Sequence, residues 1–408
     1  MLRWQLPEHI SDAMPDEARR IENLRRQLLD LYRSYGYELV APPLLEHLDA
    51  LLTGSGSRLS VRTFQLVDQL SGQTLGIRAD TTPQAARIDA HLLNRRGVTR
   101  LCYAGPVLHT RPSSLLATRE PLQVGTELFG HEGQEAELEV LELMVESLGQ
   151  TGLNNIRIDL SHAGIVPAIL APVSAAARAA LDTDRLYEYL VQKDQAGLRE
   201  LTAECPESVR SGLAALCELF GPVSGADLRL IDKARERLPD DAQIIRALDD
   251  LASLVGSHLW QRLPGVSLAI DLADLQGYHY YSGVSFAAFA LPGADGRLHA
   301  ESVARGGRYD GVGEAFGRAR PAVGFSLELR TLAELGKEHD QSQVPGGILA
   351  PWLDDSALRE AIGRLRAAGE IVLQVLPGHE QEQREFACDR ELVLREGRWE
   401  IHALATEQ

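Results

Sequence analysis

The chain has 408 residues, more than one ordinary hydrophobic core organises, so two or three domains are expected. With 44% hydrophobic and 24% charged residues it has ample apolar surface to bury, which excludes a disordered chain. Its formal charge of −17, from 41 basic and 58 acidic residues, argues against a surface that grips nucleic acid or anionic lipid throughout, although one basic patch remains compatible.

The spacing of Ile21, Leu24, Leu28, Leu31 and Tyr35 predicts an amphipathic helix over 16–35, ended by Gly36. Residues 37–40 then lead into Pro42 and Pro43, whose missing N–H groups favour a strand edge or a bend. A hairpin is predicted with arms 64–67 and 74–77 and a turn at Ser71-Gly72. Pro83 opens a short helix with Ala85, Ile88 and Leu92 on one face and Gly97 past its end. Residues 101–104 and 122–129 read as strands joined by a polar loop, 134–148 as a helix stopped by Gly149, and 156–161 as a half-buried strand.

From about 163 to 263 the chain is rich in Ala and Leu and reads as a helical insertion. Strand character resumes at Val266 and persists through the aromatic segment 278–289, and a helix is predicted around 325–335. Residues 337–344 are polar enough for a linker, and the tail reads strand 348–350, helix 357–368, strand 371–375 and a hairpin turning at Gly397. Helices placed singly between antiparallel hairpins point to an α+β fold with a mixed, mostly antiparallel sheet.

Cys102, Cys205, Cys217 and Cys388 lie far apart with no Cys-x-x-Cys pair, so neither a disulfide framework nor a zinc site is indicated, and a reducing compartment is expected. The N-terminus lacks the pattern of a signal peptide, and the least charged stretch, 163–177, is broken by Pro167 and Pro172. A cytoplasmic protein without a membrane span is expected.

Three segments carry the candidate chemistry. On a strand over 122–129, Leu122, Val124, Thr126 and Leu128 share one face and Gln123, Gly125, Glu127 and Phe129 the other. That second face is either a solvated polar face or an amide and a carboxylate flanking a glycine, with room for a small ligand against the backbone. Tyr278, Tyr280, Tyr281 and His279, set between Gly277 and Gly283, suit recognition of a small polar heterocycle, or else form an aromatic core strand. Asp80, Thr81 and Thr82 precede Pro83 and have helix capping as their default role. Residues 304–311 resemble a glycine-rich phosphate cradle, but no Gly-x-x-x-x-Gly-Lys run exists, and zinc-protease and α/β-hydrolase signatures are missing.

Taken in order, these segments resemble histidyl-tRNA synthetase, a class II aminoacyl-tRNA synthetase, over most of residues 1–335. Residues 37–46 look like the motif 1 dimerisation strand, and 105–112 through 127–130 like motif 2 and the floor of the amino-acid site. Residues 276–281 look like the histidine-specific motif, and 306–311 with 321–325 like the approach to motif 3. The resemblance implies a class II synthetase-like core over 1–335, a helical insertion at 172–263 and a small C-terminal α/β domain at 345–408. It also implies a histidine site made of Asp80, Thr82, Gln123, Glu127, Tyr280 and Tyr281.

Three departures bear on activity. Where the synthetase places arginines on ATP in motif 2, in the histidine-specific motif and in motif 3, this chain has His109, Gln276 and Thr331. Losing one donor to a developing oxyanion typically costs about 10²–10³ in rate, so losing all three should abolish adenylation. Arg111 and Arg330 lie nearby but out of register. The tail is also shorter than the synthetase's anticodon-binding domain.

This pattern is similar to the regulatory subunits of ATP phosphoribosyltransferase, synthetase paralogues that assemble with a short-form catalytic subunit at the first step of histidine biosynthesis. The resemblance implies a non-catalytic chain without a cofactor or metal, self-association through the motif 1-like region, L-histidine as effector, and no tRNA or membrane partner. An active histidyl-tRNA synthetase and a stand-alone histidine-binding module are the competing readings.

Overall fold

The structure is a computed structural model that describes residues 4–53, 56–114, 117–277, 280–291, 302–336, 346–379 and 387–404. The chain divides into two compact units, 1–339 and 340–408. The expected linker at 337–344, and Tyr278 and His279 of the aromatic segment, lie outside the described residues.

The strands of the first unit are β1 (Glu38–Leu39), β2 (Leu45–His47), β3 (Phe64–Val67), β4 (Thr74–Ile77), β5 (Thr99–Pro106) and β6 (Leu122–Phe129), followed by β7 (Ile156–His162), β8 (Phe220–Val223), β9 (Val266–Asp271), β10 (Val284–Ala290), β11 (Ala304–Arg308) and β12 (Ala322–Glu328). Nine of them form one sheet in the order β1-β5-β6-β12-β11-β10-β7-β9-β8, while β2, β4 and β3 form a second. In the large sheet β1 with β5 and β7 with β9 are parallel, and the remaining neighbours are antiparallel. This is the mixed, mostly antiparallel sheet that the spacing of hairpins and single helices predicts.

Both faces of the central strands are covered, for different purposes. On one face lie the helices Pro15–Ser34, through Ile21, Leu24, Leu28 and Tyr32, and Glu135–Gly149, through Val140, Leu141, Met144 and Leu148. They bury Val124 and Leu128 of β6 in the main core. Gly36, at φ +83°, ends the first helix in the left-handed conformation that glycine adopts without a Cβ penalty. On the other face Leu101, Tyr103, Phe129, Tyr309 and Ala322 form a smaller cluster against Ala85 and Ala86, with Tyr280 and Tyr281 at its border. No face of β6 is left to solvent, which removes the solvated reading of Glu127.

Several predicted elements are corrected. Residues 325–328 belong to β12, and the helix occupies only Leu329–Leu335, because Phe325 and Leu327 are buried by strand alternation and Glu328 caps the helix that follows. The described part of the aromatic segment before Val284, residues 280–283, is a turn and loop, whereas the strand itself is Val284–Ala290. The predominantly helical region 163–263 contains β8, an edge strand on β9. The helix opened by Pro83, Thr82–Arg87, runs into a π-helical turn, Ile88–Leu93, and is stopped by Asn94 at φ 45°, before Gly97. Gly149 lies within its helix, and the positive φ falls at Gly152. The glycine-rich run around Gly306 is strand β11 and forms no phosphate-binding loop.

The second unit has a four-stranded sheet, β14-β13-β15-β16, from β13 (Gly347–Pro351), β14 (Val372–Val375), β15 (Cys388–Arg395) and β16 (Arg398–Ala403). The helix Ser356–Ala367 packs Leu358, Ala361 and Ile362 on Ile348, Ala350, Val372 and Leu392. Its last hairpin turns at Glu396 and Gly397, both at positive φ, as a two-residue turn matched to strand twist requires.

Candidate ligand-binding site

A cavity of about 430 Å³ opens beside the smaller cluster, and its wall includes Asp80, Thr82, Glu127, Gln276, Tyr280 and Tyr281. Two structural anchors place the Asp80 part of this wall. Arg78, buried at the end of β4, donates from Nε to the Pro106 carbonyl (2.8 Å) and from Nη1 to the Pro42 carbonyl (2.9 Å), tying the proline bend to β5. Asp80 therefore stands at the entrance of the helix Thr82–Arg87.

The Asp80 Oδ1 atom accepts from Thr82 N (3.2 Å), Thr82 Oγ1 (3.3 Å) and Gln123 Nε2 (2.8 Å). The amide of Gln123 is oriented by its own carbonyl, which accepts from Thr81 N at 2.9 Å. Gln123 thus supports Asp80 from β6 and is not itself part of the cavity wall. The capping role and the cavity role of Asp80 coexist: one oxygen serves the helix, and among the described residues the other has no hydrogen-bond donor.

Glu127 lines the same cavity. It is 1% exposed and accepts from the hydroxyls of Tyr103 (3.0 Å) and Tyr309. Burial pushes its carboxyl up to about 8, against the opposing pull of the hydroxyl donors, with Tyr309 foremost. The Tyr103 hydroxyl also lies 3.2 Å from Thr82 Oγ1, so Gln123, Asp80, Thr82, Tyr103, Glu127 and Tyr309 form one connected polar cluster. Glycines on neighbouring strands make room for it. A Cβ on Gly324 would lie 1.7 Å from Glu127 Oε2, and one on Gly125 would lie 2.6 Å from the Tyr103 hydroxyl and 2.5 Å from the Phe325 carbonyl. The space over Gly125 is therefore filled by protein, correcting the expectation that a ligand lies there.

The aromatic wall is Tyr280 and Tyr281, edge to face at 5.7 Å and 84°, with Tyr309 4.8 Å from Tyr280. The Tyr280 hydroxyl is buried and has no hydrogen-bond partner among the described residues. A buried hydroxyl in this state gains a bond from any polar ligand atom that reaches it.

The three positions that depart from the synthetase pattern are placed differently. His109 is buried, with Nε2 at 2.9 Å from the Ala79 carbonyl and Nδ1 at 3.1 Å from Arg62 Nη2. Burial first, and the Arg62 charge second, hold its pKa below the ordinary histidine value. Gln276 is exposed at the cavity wall. Thr331 lies away from the cavity in the first turn of Leu329–Leu335, its N–H donating to Glu328 Oε2 at 2.6 Å. Arg330 turns to Glu17 (2.7 Å), and Arg111 is exposed outside the cavity wall, so neither supplies the missing charge.

Sequence reasoning missed Tyr103, Tyr309, Arg62 and Arg305. The first had a usable signal: Tyr103 pairs directly with Gly125 across β5 and β6, and a large residue opposite a glycine is a packing match. Tyr309 sat inside the run taken for a phosphate cradle. Chemically, the cavity offers two carboxyl groups and an aromatic side, which suits a small ligand with an ammonium group and a nitrogen heterocycle. Among the described residues no cluster of three or more metal-ligating side chains occurs, and no helix is long and apolar enough to cross a membrane.

Comparison with known proteins fits this geometry. The histidyl-tRNA synthetase family model matches residues 9–332, and the model of the ATP phosphoribosyltransferase subunit HisZ C-terminal domain matches 345–402. The chain is 55% identical over 401 residues to the ATP phosphoribosyltransferase regulatory subunit of Burkholderia pseudomallei (strain 668), covering 98% of this chain and 99% of that one. The protein of the same name from Burkholderia mallei (strain SAVP1) matches equally. Among solved structures, an ATP phosphoribosyltransferase regulatory subunit/histidyl-tRNA synthetase from Bacillus halodurans superposes with a TM-score of 0.74 at 26% identity, covering 92% of this chain and 93% of that one. Histidyl-tRNA synthetase from Nostoc sp. PCC 7120 shares the fold, with a TM-score of 0.75 at 16% identity over 99% and 97% of the two chains. A class II synthetase-like core, a C-terminal unit of the kind found in such subunits and a full-length match at 55% identity together place this chain in the family of ATP phosphoribosyltransferase regulatory subunits.

Proposed function

We propose that this chain is the non-catalytic regulatory subunit that joins a short-form catalytic subunit of ATP phosphoribosyltransferase in histidine biosynthesis, and that its cavity reports L-histidine to that partner. The observation that carries the reading is the pairing of Asp80 and Glu127 on the wall of one cavity, with no arginine at positions 109, 276 and 331. Asp80, supported by Gln123 and Thr82, takes the α-ammonium. Glu127, Tyr280 and Tyr281 take the imidazole. A charge-assisted hydrogen bond such as that of the ammonium to Asp80 is worth roughly 1.5–3 kcal/mol when buried. Coupling to the partner then needs a free energy of only about 1–3 kcal/mol between the two sites.

The test is to mix the purified chain with the short-form catalytic subunit. A complex on size analysis, and a catalytic rate that depends on the chain and on added histidine, are expected. Absence of both a complex and any change in rate removes the reading. Histidine-dependent pyrophosphate exchange by the chain alone would establish an active synthetase instead.

Self-association through residues 37–46 belongs to the same proposal. Strand β1 is an edge of the large sheet, and Leu39, Leu44 and Leu45 are exposed there, an apolar run that a second copy would cover. Leu39→Asp combined with Leu45→Asp is expected to shift the chain toward monomer in sedimentation velocity at micromolar concentration. An unchanged sedimentation coefficient would place the self-association elsewhere. The acidic chain is expected to bind no tRNA and to work in the cytoplasm.

A further inference from the structure

Positive charge enters the cavity from a direction that the synthetase-like positions do not supply. Two arginines lie on its wall, Arg62 and Arg305. Arg305 is already engaged: Nε donates to Ser302 Oγ at 2.8 Å and Nη1 pairs with Asp274 at 3.4 Å. Arg62, the last residue of the helix Gly56–Arg62, has different surroundings. Its side-chain partner is His109, and among the described residues no carboxylate lies within 4.0 Å of it.

The histidine fixes that arrangement without cancelling the charge. Arg62 Nη2 lies close to both ring nitrogens of His109, 3.1 Å from Nδ1 and 3.2 Å from Nε2. Because the Ala79 carbonyl only accepts, Nε2 carries the proton and donates to it, which leaves Nδ1 as the ring nitrogen that can accept from Arg62. His109 is buried and held in its neutral form, so the guanidinium beside it is steered but not neutralised. A guanidinium has five N–H donors, and this contact uses one. The rest of Arg62 is exposed, which leaves it open to a ligand arriving from solvent.

The position of this cation relative to Asp80 narrows what it meets. Ala79, whose carbonyl holds His109, is the residue before Asp80. In an α-amino acid the carboxylate and the ammonium share one carbon atom. A ligand whose ammonium meets Asp80 therefore presents its carboxylate only a few bonds away, within the cavity whose wall Arg62 shares. Gln276, on the same wall, is neutral and offers no compensating charge.

We propose that Arg62, positioned by His109, recognises the carboxylate of the bound amino acid and so makes the site select histidine over uncharged derivatives such as the corresponding alcohol, histidinol. This rests on the reading that the cavity holds histidine. Arg62 is a specificity-determining residue in this assignment, arriving from a different element than the arginine that position 109 lacks.

The experiment is calorimetric titration of the full chain with histidine and with histidinol, using wild type, Arg62→Met and Arg62→Lys. Wild type is expected to favour histidine by roughly 10- to 100-fold, the range of one charge-assisted pair. Arg62→Met should lose that ratio by weakening histidine and leaving histidinol unchanged, and Arg62→Lys should keep part of it. A ratio that survives in Arg62→Met overturns the proposal while the histidine site stands. So does an Arg62→Met protein with unchanged histidine affinity that has lost weak binding of inorganic phosphate, which marks a phosphate site instead. If wild type binds neither compound, the reading of the cavity falls and this proposal falls with it.

Discussion

Glu127→Gln is expected to stabilise the unliganded protein at pH 8 and, in the same variant, to weaken histidine binding by about 10- to 100-fold. Both effects come from the burial that pushes the Glu127 carboxyl from its ordinary value of 4.5 up to about 8. Below pH 4.5 the group is protonated in the folded and unfolded chains alike and no stability is lost. As pH rises toward 8 the unfolded chain releases this proton while the folded chain keeps it, so the unfolded state binds fewer protons and stability falls. At about 1.4 kcal/mol per pH unit, the loss that this group contributes is on the order of 4 kcal/mol. Glutamine removes the titration and keeps a carbonyl for one tyrosine hydroxyl and an amide for the other. Urea denaturation between pH 4.5 and 8 should show wild-type stability falling relative to the variant. Parallel curves would mean that Glu127 ionises as an ordinary carboxylate. A carboxyl group that lowers the stability of the empty protein in this way is what the proposed histidine site would require.

Much of the architecture was legible because its burial is one-sided and periodic. The first helix, the β3–β4 hairpin and the tail's strand-helix-strand order follow from apolar spacing and from Gly36, Gly72 and Gly397 at left-handed backbone positions. The misread elements share a different cause. In β12 residues 322–325 are all buried, and the short alternation Phe325, Ser326, Leu327, Glu328 runs without a break into the helix Leu329–Leu335, so the whole run looks like the start of that helix. Strand β8 is four residues long and carries Gly221 and Pro222, too little for a period-two signal inside an Ala-rich region. At the site, the local motifs around Asp80, Glu127 and Tyr280 were visible, whereas partners that arrive from distant elements were not. Tyr309 reaches Glu127 across 182 residues of sequence, and Arg62 reaches His109 across 47. Such contacts are set by sheet order, which no local pattern encodes.

Arg308→Met is expected to destabilise the protein by about 3–5 kcal/mol, the usual consequence of leaving one half of a buried ion pair uncompensated. Arg308 lies in the glycine-rich run whose composition suggests a phosphate cradle, yet its guanidinium is spent inside the protein. Nε and Nη2 donate to the two oxygens of Glu137 at 2.5 and 2.6 Å. The remaining contacts are to the carbonyls of His131 (3.2 Å) and Gly133 (3.3 Å) and to the partly exposed carboxylate of Asp310 (3.3 Å), which stays solvated when Arg308 is removed. Both side chains are nearly inaccessible, and Arg308 is not part of the cavity wall. The pair fastens the helix Glu135–Gly149 to β11, directly before Tyr309, which holds Glu127. Replacing both partners, Arg308→Met with Glu137→Leu, removes the stranded charge and should recover most of the stability, because apolar groups of similar volume often match a buried pair. Thermal denaturation of the single and double variants measures this, and calorimetry of the double variant should find histidine affinity near that of wild type. If the double variant is stable but has lost the ligand, Arg308 acts on the cavity and its role is not confined to the helix-to-sheet contact. If the single variant is as stable as wild type, the pair does not fasten this helix at all, and the position of Tyr309 must be held from the β12 side of the sheet.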